Sequence, residues 1–208
     1  VDGATSSALL FRFIRSVGGR CRIYIPDRIR EGYGPNFPAL LKLAEAGASV
    51  VITVDCGITA FEPLSAASDA GIDVIVVDHH TAEPKLPMAT AVVNPNRLDD
   101  ESGVGHLAAV GVAFLLVVAI NRELRKSGRY GAGSEPDLTH WLDLVALGTV
   151  CDVVPLVGLN RAFVIQGLKV LQKRRNQGLR ALSDTAEINE PPAAYHLGFV
   201  FGPRLNAG

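Results

Sequence analysis

Ile72-Asp73-Val74-Ile75-Val76-Val77-Asp78-His79-His80 is the stretch that decides the fold. Four consecutive β-branched residues, Val74 to Val77, predict a buried strand that runs directly into a carboxylate and two imidazoles. The arrangement recurs upstream, where Val50-Val51-Ile52-Thr53-Val54 meets Asp55-Cys56-Gly57. Val1-Asp2-Gly3 reads as the tail of a third strand of the same kind. Between the two complete strands, helical spacing at 62–70 gives a crossover long enough to favour parallel pairing. In parallel α/β sheets the carboxyl ends of the strands form the crevice in which sites are built. Three strands that each deliver an aspartate there make a metal-binding phosphoryl site the leading expectation.

Working outward, periodicity predicts helices at 5–17 and 37–46, a short strand at 21–25 and a loop rich in charge and glycine at 27–34. A third short strand is expected at 91–93. Beyond it the character changes to helices at 107–124, 138–150, 161–174 and 179–183, with an exposed linker at 128–135. The predicted fold class is α/β, a mostly parallel sheet flanked by helices and followed by a mostly helical portion. Its expected division is a sheet portion at 1–97, a helical portion at 98–190 and the start of a connector at 191–208. The opening Val-Asp-Gly and the closing Leu-Asn-Ala-Gly read as cuts within a longer protein.

Composition narrows the class. A content of 48% hydrophobic residues with 6% aromatic suits a helix-covered parallel sheet, whose strands are apolar on both faces. A formal charge of −1 gives no bulk attraction for nucleic acid, although a basic patch offset by an acidic metal site remains compatible with it. Cys21, Cys56 and Cys151 lack paired spacing, which points to a reducing, cytoplasmic setting rather than to disulfides or a zinc motif. The most apolar run, 110–120, is too short to span a bilayer, so no membrane association is expected. A dinucleotide-binding domain is disfavoured because no Gly-x-Gly-x-x-Gly follows the first complete strand.

The residues that could carry chemistry are Asp2, Asp55, Asp78, His79, His80 and Asp152. Carboxylates gathered at one point repel one another and lose hydration, a cost that divalent cations remove. Mixed carboxylate and imidazole ligands suit manganese, with magnesium or zinc as alternatives. Arg28 and Arg30 sit beside Gly32-Tyr33-Gly34 after a predicted strand, where an arginine can hold a phosphate and Tyr33 can stack on a base. His106 and Arg204 are further phosphate-contact candidates, whereas Arg12 and Arg15 read as the solvated face of the first helix.

Val76-Val77-Asp78-His79-His80 resembles the signature of the DHH phosphoesterase superfamily. Other stretches resemble its single-stranded-DNA exonuclease branch: Asp2-Gly3-Ala4-Thr5-Ser6, Thr53-Val54-Asp55-Cys56-Gly57-Ile58 and Asn94-Pro95. Gly111-Val112-Ala113-Phe114 follows, then the run from Ala146 to Leu156, and finally Gly202-Pro203-Arg204-Leu205-Asn206-Ala207-Gly208. The match runs in order over the entire chain. It implies that Asp2 is the second carboxylate of an Asp-x-Asp pair whose first member would precede Val1. It further implies that Asp55 bridges two ions, that His79 and Asp152 complete one site with Asp2 and Asp55, and that the second site lacks its upstream Asp. By the same resemblance Asp78 orients its neighbours and His80 contacts the scissile phosphate. The implied activity is Mn2+- or Mg2+-dependent 5′-to-3′ hydrolysis of single-stranded DNA to mononucleotides, with a helicase or a single-strand-binding protein as possible partner. A superfamily hydrolase of short oligonucleotides or small phosphates, and a degenerate replication scaffold, are the alternatives.

Overall fold

β1 (Val50–Val54), β2 (Asp73–Val77) and β3 (Ala91–Val93) lie side by side in that order, all parallel, in the computed structural model, which describes residues 1–207. Gly208, the last residue of the Gly-Pro-Arg motif, lies outside the described residues. Val50 pairs with Asp73 and Val54 with Val77, so β1 and β2 end level with each other. Val77 pairs in turn with Val93, which brings Asp55, Asp78 and Asn94 to one edge of the sheet. The chain divides into two compact units. The sheet unit, Ile23–Gly105, packs Val74 and Val76 against Leu40 of α2 (Phe37–Glu45) and against Leu64 and Ala67 of α3 (Phe61–Asp69). Asn36 starts α2 by accepting the Ala39 amide (2.9 Å), with Pro38 in the first turn where its missing N–H costs nothing.

The helical unit joins Val1–Arg22 to the chain from His106 onward. At its centre is α5 (Leu142–Cys151), buried continuously from Leu142 to Thr149. A helix apolar on all sides must be wrapped by others. Here α1 (Asp2–Ser16), α4 (Ala109–Lys126) and α6 (Gly158–Gln172) do so. Gly148 permits the close approach, because a Cβ there would lie 2.8 Å from Val110 Cγ1 and 3.0 Å from Asp2 Oδ1. After α7 (Gln177–Thr185), the chain folds as α8 (Ala194–His196), one wide turn at Leu197–Phe201 and α9 (Gly202–Asn206). Leu197 and Phe201 are fully buried, and the Cys151 thiol donates to the Leu197 carbonyl (3.4 Å).

Two local expectations are corrected. Residues 21–25 form no strand: Cys-Arg-Ile-Tyr-Ile alternates as a strand should, but no ladder holds it, and Ile25 is largely exposed. Asp2 is the first residue of α1 rather than the end of a strand. The three cysteines are free, and among the described residues no helix is long and apolar enough to cross a membrane.

Candidate metal centre

The edge at the strand ends is shaped by backbone before any side chain acts. The Asp55 amide still donates to the Val77 carbonyl (3.0 Å), and the chain then turns through a left-handed Asp55 (φ 59°). Aspartate tolerates that region better than most residues. Gly57 (φ 113°) has no such latitude to lose, since a Cβ would sit 2.8 Å from Thr53 Oγ1 and 3.2 Å from Val76 Cγ1. Thr53 Oγ1 donates to the Cys56 carbonyl (3.1 Å) and closes the turn.

At the end of β2, the Asp78 carboxylate is 1% exposed and faces four donors. Oδ2 accepts the Ile58 amide (3.0 Å); Oδ1 accepts the amides of His79 (2.8 Å) and His80 (3.3 Å) and lies 2.6 Å from His80 Nδ1. Burial alone would raise this carboxyl, but the His80 ring and the Ile58 and His79 amides outweigh it and hold it below the ordinary carboxylate range. Asp78 therefore fixes the turn and the His80 ring, and with Nδ1 on Asp78 the Nε2 of His80 is left to meet an ion or a phosphate. The His79 Nε2 lies 3.3 Å from Asp55 Oδ1, and the two histidine rings are 4.5 Å apart. Asp55, His79 and His80 each offer a ligand atom within 4.8 Å of one another. Such a mixed carboxylate–imidazole set fits a divalent ion of the manganese type.

The end of β3 steadies the two histidines through their backbone. Asn94 Nδ2 donates to the His80 carbonyl (2.9 Å), and Asn96 Nδ2 to the carbonyls of His79 and Gly105. The Asn96 amide in turn donates to Asn94 Oδ1 (2.7 Å). Asn96 is a positioning residue that the motif reading passed over. Its only signal was the Asn-Pro-Asn composition after a short strand, which favours such local turns. Tyr33 also attaches here, with its hydroxyl donating to the Asp55 carbonyl (2.7 Å) and the Arg28 guanidinium 5.7 Å from its ring centre. Burial, then the Asp55 charge, pushes the Tyr33 phenol up to about 12, so it stays a donor. Cys56 is likewise pushed up to about 12, by burial first, and remains a thiol.

In the helical unit, Asp2 is 3% exposed and spans the N-terminus of α4, with Oδ2 accepting the Ala109 amide (2.6 Å) and Oδ1 the Val110 amide (2.9 Å). It thus caps a helix whose own N-cap, Ala108, has no side chain for the purpose. Asp152 caps the C-terminus of α5, and carboxylate oxygens of Asp2 and Asp152 lie within 4.8 Å of each other. Two carboxylates so close suit a shared cation. The remaining candidates have local partners of their own. Arg30 is highly exposed and only loosely paired with Asp27 (3.8 Å). Arg204 donates to the Val200 carbonyl (3.0 Å) on the surface of α9. His106 lies against Gly158 at the start of α6, and its carbonyl accepts Asn160 Nδ2 (2.7 Å).

Residues 1–149 match the model of the DHH family, N-terminal domain. The chain is 42% identical to the single-stranded-DNA-specific exonuclease RecJ of Dickeya dadantii, over 99% of this chain and 37% of that protein. It is 37% identical to the protein of the same name from Thermus thermophilus, over 99% of this chain and 29% of that one. It therefore spans about a third of the length of these relatives. Among solved structures, an exonuclease RecJ bound to manganese superposes with a TM-score of 0.84 at 35% identity, over 99% of this chain and 50% of that one. The Thermus thermophilus RecJ in complex with Mn2+ gives 0.79 at 32% identity, over 99% of this chain and 28% of that one.

Proposed function

Because the chain belongs to the DHH family, we propose that it is the metal-binding core of a nuclease that hydrolyses single-stranded DNA from the 5′ end and releases mononucleotides. The observation that carries this reading is the strand-end group: Asp55, His79 and His80 converge within 4.8 Å, with Asp78 and two asparagines fixing the histidines behind them. Similarity to RecJ proteins over nearly the whole chain supports the substrate class. Asp55 and His79 would be the ligands in the sheet unit, and Asp2 and Asp152 offer a pair of carboxylates in the helical unit. Manganese or magnesium bound by such ligands supplies a water of lowered pKa and neutralises charge on the phosphate. His80, held through Nδ1 by Asp78, directs Nε2 to a phosphate oxygen or to the leaving group. Tyr33 offers an exposed ring for a base, with Arg28 beside it for a phosphate. Arg30, His106 and Arg204 serve as further backbone contacts.

The test follows a single-stranded oligonucleotide labelled at its 5′ end, with added manganese, against a 3′-labelled copy and a duplex. Early release of labelled mononucleotide from the 5′ end, lost in Asp55→Ala and His79→Ala, is the expected result. Cleavage that survives both substitutions, or no cleavage by the folded full-length protein, overturns the proposal.

A further inference from the structure

The C-terminal half of α1 carries a feature unrelated to metal. Phe11, Arg12, Arg15 and Ser16 of α1, together with Trp141, line a shallow cleft that lies wide open to solvent. Arg12 and Arg15 stand three residues apart on one helix face, both exposed, and neither takes part in an ion pair among the described residues. By contrast, Arg97, Arg125 and Arg174 each face a carboxylate. The acidic residue whose charge couples to Arg12, Asp143, is buried and presents no surface carboxylate. Like charges at this spacing repel one another unless an external anion offsets them. Trp141 is braced from behind, with the Phe13 ring meeting it edge-on at 6.3 Å. Next to Trp141 in the chain, the His140 ring lies 3.2 Å from Arg175 and 3.3 Å from Asp137.

We propose that this cleft is a second contact for single-stranded nucleic acid, with Arg12 and Arg15 on consecutive phosphates and Trp141 and Phe11 against bases. The pairing of fixed cations with flat aromatic surface is the chemistry that recognises a single strand without reading its sequence. An acidic peptide would satisfy the guanidinium groups but leave the indole and phenyl faces without planar partners. The helix sets the spacing: α1 begins at Asp2 and reaches Arg12 and Arg15 roughly 15 to 20 Å further along, at ~1.5 Å per residue. The inference rests on the nucleic-acid reading above, and goes beyond it by placing a hold on the strand away from the reacting phosphate.

Trp141 is the only tryptophan in the chain, so its emission reports on the cleft directly. The titration uses a dT oligonucleotide in metal-free buffer containing a chelator, which prevents hydrolysis. The parent protein is expected to show quenched Trp141 emission, and R12Q/R15Q, its helix content checked by circular dichroism, to bind at least about tenfold more weakly. Its slope of log affinity against log salt should fall by about 1.4, at about 0.7 for each single-strand phosphate that is no longer neutralised. R12K/R15K should retain most of the binding. Oligonucleotide binding seen by polarisation without any Trp141 response overturns the cleft, as does parent-like titration of R12Q/R15Q or equal quenching by poly-glutamate. Hydrolysis with manganese is scored separately: a Trp141 response without hydrolysis upholds the cleft and removes the nuclease reading, and hydrolysis without a response does the reverse.

Discussion

Asp78→Ala tests the role assigned to the carboxylate behind the histidines. The substitution leaves the Ile58 and His79 amides, which donate at 3.0 and 2.8 Å, without their acceptor in a place where the acceptor was 1% exposed. Each buried donor left without a partner costs ~1–3 kcal/mol. The His80 amide and ring lie nearer solvent and recover part of their loss from water. Removing a buried charge returns some desolvation energy, so the net destabilisation should be about 2–4 kcal/mol. With the His79 amide released from Asp78 Oδ1, manganese affinity should fall roughly 10- to 100-fold, as for other groups that orient metal-ligating histidines. Urea unfolding followed by circular dichroism gives the first quantity, and calorimetric manganese titration gives the second. Asp78→Asn keeps the shape but must turn its NH2 toward one set of donors, so it should fall between parent and alanine variant. If Asp78→Ala unfolds at the parental urea concentration and binds manganese equally well, the carboxylate does not organise the site and the reasoning fails.

Three further outcomes follow from geometry already described. Gly57→Ala meets both a left-handed backbone (φ 113°) and a 2.8 Å approach to Thr53 Oγ1, and should cost about 2 kcal/mol or more with weakened manganese binding, measured as above. Gly148→Ala drives a methyl toward Val110 and Asp2, and should lower stability by about 1–3 kcal/mol in thermal unfolding. Asp143 is raised above its ordinary value by burial, which the Leu144 amide only partly offsets. Its unfolded form therefore loses its proton first, so the folded state loses stability as pH rises from the ordinary aspartate range through the raised value. Asp143→Asn keeps an acceptor for Leu144, and should gain stability relative to the parent at pH 7 compared with pH 4; the same difference at both pH values refutes this.

The strands were legible because β-branched runs such as Val74 to Val77 need no distant information to be read. The convergence of Asp55, His79 and His80 was legible for the same reason: they stand one to three residues beyond a strand, and parallel register brings strand ends together. Residues 21–25 show the limit, since alternation describes a strand's faces but only a neighbour makes it a strand. Asp2 shows a second limit. Its partners, the amides of Ala109 and Val110, are more than a hundred positions away, and no local pattern records such a bond. Trp141 and Arg12 are also distant in sequence, so the first helix's arginines read as a plain solvated face until the fold set an indole beside them.

The bond from Asp2 to the start of α4 also bears on the order in which the molecule assembles. Everything from Ile23 to Gly105 is an excursion between two halves of the helical unit, and within it Val50 needs only to find Asp73. Contacts of short range form early, whereas those of long range wait for the chain between them to shrink. The sheet unit should thus order first, before α1 meets α4 and α5. Refolding followed through Trp141, which lies in the helical unit, should lag behind the ellipticity gained by the whole chain. Synchronous signals in stopped-flow mixing would mean instead that the two units fold as one.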